Sequence, residues 1–172
     1  MKTRNFTTRI LSMMLVLLMV FSMGPLQAFA AENTADLPTD SEETVTYTKV
    51  SSISNGNDYV IAMYYGGQYY ALSHAKNTLS PVRITISDGE ITSEITNDML
   101  WTMKENKLRY ENGGKTYSLY GKTGSLTVST SRASKAIFTN SKLRLDSVHL
   151  QYVNGKLTAN TVGTTVYMFT AK

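Results

Sequence analysis

Two short sequence signatures recur three times in the same order, and this repetition limits the folds that the chain can adopt. The first, an apolar residue, Thr and a second apolar residue, lies at 84–86, 126–128 and 157–159. The second, an aliphatic residue followed by an aromatic residue and Thr, lies at 100–102, 137–139 and 168–170. A repeated order of this kind predicts three copies of one supersecondary unit.

The segments around these signatures are typical of β-strands. The chain contains eleven Tyr, is rich in Ser and Thr, and has no long stretch with a helical period of apolar residues. Two further strand-like segments precede each signature pair, at 59–62 with 69–72, 108–111 with 117–120, and 143–146 with 150–153. Tight-turn pairs separate the strands at 66–67, 88–89, 113–114 and 154–155. The sequence therefore predicts an all-β domain of twelve strands in three pseudo-repeats.

The first 30 residues have the layout of an export signal. A basic head with Lys2, Arg4 and Arg9 precedes an apolar run, and a small-residue site follows at 28–30. The run of about 14 apolar residues spans only about 21 Å as a helix, short of the roughly 30 Å hydrocarbon core of a bilayer. We expect cleavage after Ala30, secretion, and no membrane association of the mature chain.

The charge pattern divides the remainder into two parts. Residues 31–46 contain five of the chain's 13 acidic side chains and little that is apolar, so they predict a disordered acidic linker before a domain at 47–172. Of the 17 basic residues, three lie in the predicted signal, which leaves 14 basic against eight acidic side chains in that domain. This small, dispersed excess does not predict nucleic-acid binding. Because the chain has no Cys, its stability must come from an apolar core.

The three-unit pattern over 47–172 resembles the β-trefoil, the pseudo-threefold fold of ricin-type lectins, Kunitz-type soybean inhibitors and fibroblast growth factors. It is also similar to trefoil-like modules of secreted Gram-positive bacterial proteins that follow an acidic linker. The resemblance implies that Trp101, Phe138 and Phe169, one per repeat, meet in one core layer. A two-sheet β-sandwich is the alternative architecture.

The resemblance to ricin-type lectins also implies carbohydrate sites, although the Gln of the family's Gln-x-Trp signature is absent from all three repeats. The corresponding triplets are Met-Leu-Trp, Ala-Ile-Phe and Tyr-Met-Phe, ending at 101, 138 and 169. The polar and aromatic residues that remain as candidate ligand contacts are Asn112 with Tyr120, and Asp146 with Tyr152 and Asn160.

A tyrosine-rich hairpin provides a candidate that does not depend on the family. A two-residue turn at 66–67 places Tyr64 opposite Tyr69, and alternation puts both rings on the face opposite the more apolar one. Tyr rings suit both sugar stacking and protein contact, so we predict a ligand platform at Tyr64 and Tyr69.

No pattern of catalytic or metal-binding residues is visible. His74 and His149 have no carboxylate at metal-ligand spacing, and no Ser lies in a Gly-x-Ser-x-Gly elbow. We therefore predict a secreted, non-catalytic module without metal or cofactor, which binds a glycan or cell-surface polymer. The alternative is a protein-interaction factor, such as a protease inhibitor or host-directed effector, that presents the loop at 74–81.

Overall fold

A computed structural model describes residues 45–172. The predicted export signal and all but the last two residues of the predicted acidic linker lie outside the described residues. The first strands are β1 (Tyr47–Val50), β2 (Asp58–Tyr65), β3 (Gln68–Ser73), β4 (Ser80–Ile84), β5 (Ile86–Ser87) and β6 (Glu90–Ile91). The middle strands are β7 (Leu100–Lys104), β8 (Lys107–Asn112), β9 (Lys115–Lys122) and β10 (Ser125–Ser129). The last are β11 (Ala136–Thr139), β12 (Lys142–Leu145), β13 (Val148–Val153), β14 (Lys156–Asn160) and β15 (Val166–Ala171).

This part of the chain is all-β, as the composition predicts. Its helical residues form two single turns of 3₁₀-helix, at Ala75–Asn77 and Asn97–Met99. Every strand pairing is antiparallel, in one sheet of eleven strands and one of four. Residues 45–172 form fifteen strands where the sequence predicts twelve. The predicted strand at 84–86 is divided between the end of β4 and the start of β5, and β1 and β6 have no predicted counterpart. Strands of two residues, such as β5 and β6, are too short to produce a readable alternation of apolar residues.

The predicted turn pairs join β2 to β3, β5 to β6, β8 to β9, and β13 to β14. Gly66 and Gly67 have φ values of 60° and 78°, the left-handed region that a two-residue hairpin turn requires. The turn fixes the register of β2 against β3, with Tyr64 opposite Tyr69 and Met63 opposite Tyr70, as predicted.

Backbone hydrogen bonds link six strands in a ring. Strand β2 pairs with β7 and β15, β7 pairs with β8, and β11 pairs with β12. Two hydrogen bonds to turn residues complete the ring, both at 2.8 Å. The amide of Ala136, at the start of β11, donates to Asn106 O in the turn between β7 and β8, and the amide of Val166, at the start of β15, donates to Ser141 O in the turn between β11 and β12. The ring joins the four-stranded sheet to the larger sheet on both sides.

Alternation along the strands divides the apolar residues between two clusters. On β2, Tyr59, Ile61 and Met63 belong to the larger cluster, whereas Val60 and Ala62 belong to a smaller cluster on the opposite face. All five side chains are at most 2% exposed, so β2 is buried on both sides. The sequence of a strand that is buried on both faces is a continuous run of apolar residues, without the alternation of apolar and polar residues that marks a half-buried strand.

The three aromatic residues of the second signature do not form one layer, and this part of the prediction is wrong. Trp101 is fully buried in the larger cluster, and Phe138 is partly buried against it. Phe169, only 1% exposed, lies in the smaller cluster because it is opposite Val60. A shift of one residue along a strand moves a side chain to the other face of the sheet.

The strand register shows which residues near the second signature lie opposite one another. Met168 lies opposite Ile61, and Phe138 lies opposite Leu143 in the second cross-strand pair from a two-residue turn. The residue in the same position of the β7–β8 hairpin is Met103, opposite Leu108. Trp101 precedes this position by two residues, and its indole nitrogen donates a hydrogen bond to Leu72 O at 2.9 Å.

Candidate functional site

Three tyrosines lie together on the face of β2, β3 and β15 that carries the smaller apolar cluster. Tyr64 is exposed, whereas Tyr69 and Tyr167 are half-buried against that cluster. The rings of Tyr64 and Tyr69 are 4.9 Å apart between centroids, and those of Tyr69 and Tyr167 are 5.7 Å apart. Tyr64 is 44% exposed, which is unusual here for a large apolar side chain. We call Tyr64, Tyr69 and Tyr167 the tyrosine patch.

Three strands bring the patch together. The hairpin turn sets Tyr64 against Tyr69, and the pairing of β15 with β2 places Tyr167 opposite Ala62. Since Ala62 and Tyr64 are two residues apart on one strand, they point to the same side of the sheet. The short side chain of Ala62 leaves space above it for the larger rings.

Charged groups border the patch on one side. The Lys49 ammonium lies 4.5 Å from the centroid of the Tyr167 ring, within range of a cation–π interaction. Between Lys49, Tyr69 and Tyr167 lies a cleft of about 220 Å³, which Asp88 also lines and whose apolar wall includes Phe169.

The environment of Tyr69 keeps its hydroxyl protonated. Partial burial and the neighbouring hydroxyls of Tyr167 and Tyr64 raise the pKa of Tyr69, so its phenol stays neutral and can donate a hydrogen bond. Rings with neutral hydroxyls, next to an ammonium and a carboxylate, can stack on an apolar surface and hydrogen-bond to hydroxyl groups at its edge.

Sequence reasoning identified Tyr64 and Tyr69 but missed Tyr167, Lys49 and Asp88. Tyr167 reaches the patch only through the pairing of β15 with β2, which no local turn specifies. The amide of Lys49 donates to Gly89 O at 2.9 Å, and this long-range bond brings Lys49 next to the turn that carries Asp88. The Asp-Gly turn itself was visible in the sequence.

The structure separates the predicted pair Asn112 and Tyr120. Asn112 is exposed, and its side-chain amide donates to Asn77 Oδ1 at 3.0 Å. Tyr120 lies on a different cleft, where the Arg132 guanidinium sits 5.7 Å from its ring centroid. The two residues therefore do not form one site.

The second predicted group, Asp146, Tyr152 and Asn160, is not brought together either. Asp146 Oδ1 accepts a hydrogen bond from the amide of Lys135, and Asn160 Oδ1 accepts one from the amide of Thr161. Tyr152 is 4% exposed in the larger apolar cluster. Its ring is out of reach of a surface ligand, so we do not retain Tyr152 as a ligand contact.

A buried aromatic stack lies at the base of the loop that the alternative hypothesis singled out. The His74 ring stacks on Tyr110 at 3.5 Å between centroids, and Tyr110 stacks on Tyr117 at 5.2 Å. Burial lowers the pKa of His74 and, with help from the Tyr117 hydroxyl, raises the pKa of Tyr110 to about 12. Both groups are uncharged near neutral pH.

Asn77 holds the loop at 74–81 against this stack. Its Oδ1 accepts a hydrogen bond from the Tyr110 hydroxyl at 3.1 Å, and its Nδ2 donates to the Tyr117 hydroxyl at 3.3 Å. Asn77 has φ of 58°, a conformation that Asn tolerates better than most residues. The loop is thus anchored to β8 and β9.

Ser73, His74 and Asp98 lie together but are not arranged as a catalytic triad. Ser73 Oγ donates directly to Asp98, which also accepts from Thr96 Oγ1, and these hydrogen bonds lower the pKa of Asp98. His74 Nε2 donates to Leu100 O at 3.0 Å instead of contacting the serine. In a working triad the histidine lies between the other two groups. Here the polar groups join β3 to the 3₁₀ turn before β7.

No three His, Asp or Glu side chains among residues 45–172 converge on a point that could hold a metal ion. In the same part of the chain, no helical segment has the length and apolar character needed to cross a membrane.

Comparison with known proteins gives no match to a protein family, to a curated protein or to a solved structure. The function must therefore be argued from the geometry of this chain.

Proposed function

We propose that this chain is an exported, non-catalytic β-trefoil domain that binds a carbohydrate or a carbohydrate-containing cell-surface polymer through the tyrosine patch. The observation on which this depends is the contact of the exposed Tyr64 with the half-buried Tyr69 and Tyr167, beside a cleft with charged walls. Export is inferred from the sequence of residues 1–30.

The proposal of a trefoil is supported by strand register. Met103 with Leu108 and Phe138 with Leu143 are each the second cross-strand pair from a two-residue turn, and Met168 with Ile61 would be the third such pair, formed where β15 returns to β2. Six strands linked in a ring fit a barrel better than a sandwich, because a sandwich keeps two separate sheets with free edges.

The carbohydrate assignment is supported by the composition and setting of the patch. Tyr side chains lose little conformational entropy when they bind, and they offer an apolar ring together with a hydroxyl. The cleft of about 220 Å³ is below the usual range of about 300–1,000 Å³ for drug-sized ligands, so it fits one sugar unit at the edge of a longer chain.

Binding to a panel of glycans and cell-wall preparations would test the proposal. Replacing both Tyr64 and Tyr69 with Ala should weaken binding by about tenfold or more, since aromatic contacts of this kind contribute about 0.5–1.5 kcal/mol each beyond their buried area. A Tyr64→Phe variant separates the ring from its hydroxyl.

Val153→Ala is the control, because Val153 is also exposed, at 42%, but neither belongs to the patch nor lines its cleft. Its binding should equal that of the unmodified protein. Failure of the unmodified protein to bind any glycan or cell-wall preparation would refute the carbohydrate assignment. Selective binding to a protein in the same preparations would favour an interaction factor instead.

A further inference from the structure

A second cleft, remote from the tyrosine patch in sequence, lies on the outer face of the β8–β9 hairpin. Its volume is about 670 Å³, and the chain segment at 130–133 forms its other wall. Lys107 and Arg109 come from β8, and Arg132 comes from the segment opposite. None of the described residues that line the cleft is acidic.

The rest of the lining is rich in hydroxyl groups. Ser118 and Tyr120 on β9 line the cleft together with Arg109, which lies directly opposite Ser118. Tyr120 is half-buried, and Ser118 is 7% exposed at the base of the cleft. Thr130 and Ser131 contribute hydroxyls from the other wall. Hydroxyls on both walls next to three cations match a ligand that carries both negative charge and many hydroxyl groups.

The Arg109 guanidinium has hydrogen-bond donors that its contact with Glu105 does not use. Its Nη2 donates to Glu105 at 2.8 Å, but the Glu105 side chain is 66% exposed and the pair lies at the surface. Exposed ion pairs of this type are weak, so an incoming anion can compete with Glu105. The buried Nε of Arg109 has no acceptor among the described residues.

Arg132 is held in place by its surroundings. Ser129 Oγ accepts hydrogen bonds from the amides of Ser131 and Arg132, at 3.2 and 3.1 Å, and fixes the start of the segment. The amide of Ser134 donates to Leu119 O at 3.1 Å and fixes its end. With its guanidinium 5.7 Å from the Tyr120 ring centroid, Arg132 is directed toward the hairpin.

We infer that this cleft binds a phosphate or sulfate ester group carried on a polyhydroxylated chain. Arg109 and Arg132 supply forked donors that fit a tetrahedral oxyanion, and Lys107 adds a third charge. At about 670 Å³ the cleft is much larger than the ion alone, which leaves room for the sugar or polyol that carries it. This inference does not depend on the tyrosine patch and goes beyond the function proposed for it.

The test is a titration of ¹⁵N-labelled protein at low ionic strength. The probes are a polyol phosphate oligomer, a sulfated oligosaccharide, an uncharged oligosaccharide, inorganic phosphate and inorganic sulfate. The two esters should shift the amide signals of Ser118, Ser131 and Arg132, and they should bind about tenfold or more tightly than the uncharged sugar.

The variants separate a built site from general attraction by a basic protein. Arg109→Gln with Arg132→Gln should weaken ester binding by about tenfold or more. The control, Arg83→Gln with Arg144→Gln, removes the same charge from exposed arginines outside the cleft lining and should change binding by less than about twofold. Arg132→Gln alone covers the case in which Arg109→Gln disturbs the hairpin, because Arg132 lies outside the strands.

Each outcome decides the question. Equal losses in the two double variants, or binding without shifts at the cleft amides, would overturn the site. Inorganic ions that bind as tightly as the esters would keep the oxyanion chemistry but overturn the assignment to an ester on a chain. Tyr64→Ala with Tyr69→Ala should leave ester binding at the cleft intact, so failure of the two sites can be told apart.

Discussion

Two cross-strand tyrosine pairs in this domain have similar distances between their ring centroids, but they differ in ring angle, at 53° and 8°, and in environment. Tyr64 and Tyr69 face each other across β2 and β3 with ring centroids 4.9 Å apart, and Tyr110 and Tyr117 face each other across β8 and β9 at 5.2 Å. Tyr64 is 44% exposed and Tyr110 is 6% exposed. The same residue pair thus forms a surface patch in one hairpin and part of the core in the other.

The difference arises from one step of strand register. Both hairpins turn at a Gly-Gly pair, at 66–67 and 113–114. Counted from the turn, Tyr64 and Tyr69 form the second cross-strand pair, whereas Tyr110 and Tyr117 form the third. Because side chains alternate with a period of two, this step is enough to change the face of the sheet. Distance from the turn therefore determines which face of its hairpin each tyrosine pair occupies.

Replacement of each pair's first member should give the largest contrast. Tyr110→Ala removes a buried ring that packs against His74, Trp101 and Tyr117, and it should lower the free energy of unfolding by about 3–5 kcal/mol. Tyr64→Ala should cost only about 0.2–1 kcal/mol, the value of an exposed cross-strand pair. Urea denaturation followed by tryptophan fluorescence measures both. Equal losses would mean that the two environments do not differ as described.

The hydrogen bonds of the two regions can be compared through two asparagines. Asn77 and Asn154 both have positive φ, and each accepts a hydrogen bond from a tyrosine hydroxyl, that of Tyr110 and of Tyr65 respectively. Asn77→Gly preserves the backbone conformation but leaves the buried hydroxyl of Tyr110 without its acceptor, so it should cost about 1–3 kcal/mol.

Asn154→Gly is the control for this substitution, because Asn154 is exposed and water can replace its side chain. Its effect on urea denaturation should be below about 1 kcal/mol. A loss at Asn154 as large as that at Asn77 would show that the backbone, and not the buried hydrogen bond, determines the cost.

The features that could be predicted from the sequence are those that depend on short-range rules. The Gly-Gly turn determined the pairing of Tyr64 with Tyr69, and the alternation from that turn correctly assigned Tyr59, Ile61 and Met63 to one apolar face. Turn geometry and strand period act over a few residues, so a single sequence contains the necessary information.

The features that could not be predicted depend on pairing between distant strands. The second signature at 168–170 resembles the one at 137–139. Phe169 nevertheless lies opposite Val60 and belongs to the smaller apolar cluster. No turn joins β15 to β2, so the sequence contains no local signal for this register. The positions of Tyr167 in the tyrosine patch and of Arg132 in the cleft on the β8–β9 hairpin also depend on contacts between distant parts of the chain.

Acidification should give the smallest effect and acts only on the buried region. Burial lowers the pKa of His74 below its usual 6.5, so the folded protein favours the neutral ring. Above the pKa that this histidine has in the unfolded chain, His74 does not reduce the free energy of unfolding. As the pH decreases from that value toward the lower pKa of the folded protein, the unfolded chain takes up a proton first, and the free energy of unfolding falls. The loss is at most about 1.4 kcal/mol for each pH unit.

Urea denaturation at pH 7 and pH 5 should show this loss, and the free energy of unfolding of His74→Gln should depend less on pH. His149→Gln, which removes the other histidine, should retain the loss that His74 causes. Asp98 does not contribute in this range, because its pKa is lowered from an already acidic 3.8. A His74→Gln variant as sensitive to pH as the unmodified protein would show that the stack on Tyr110 does not disfavour the charged ring.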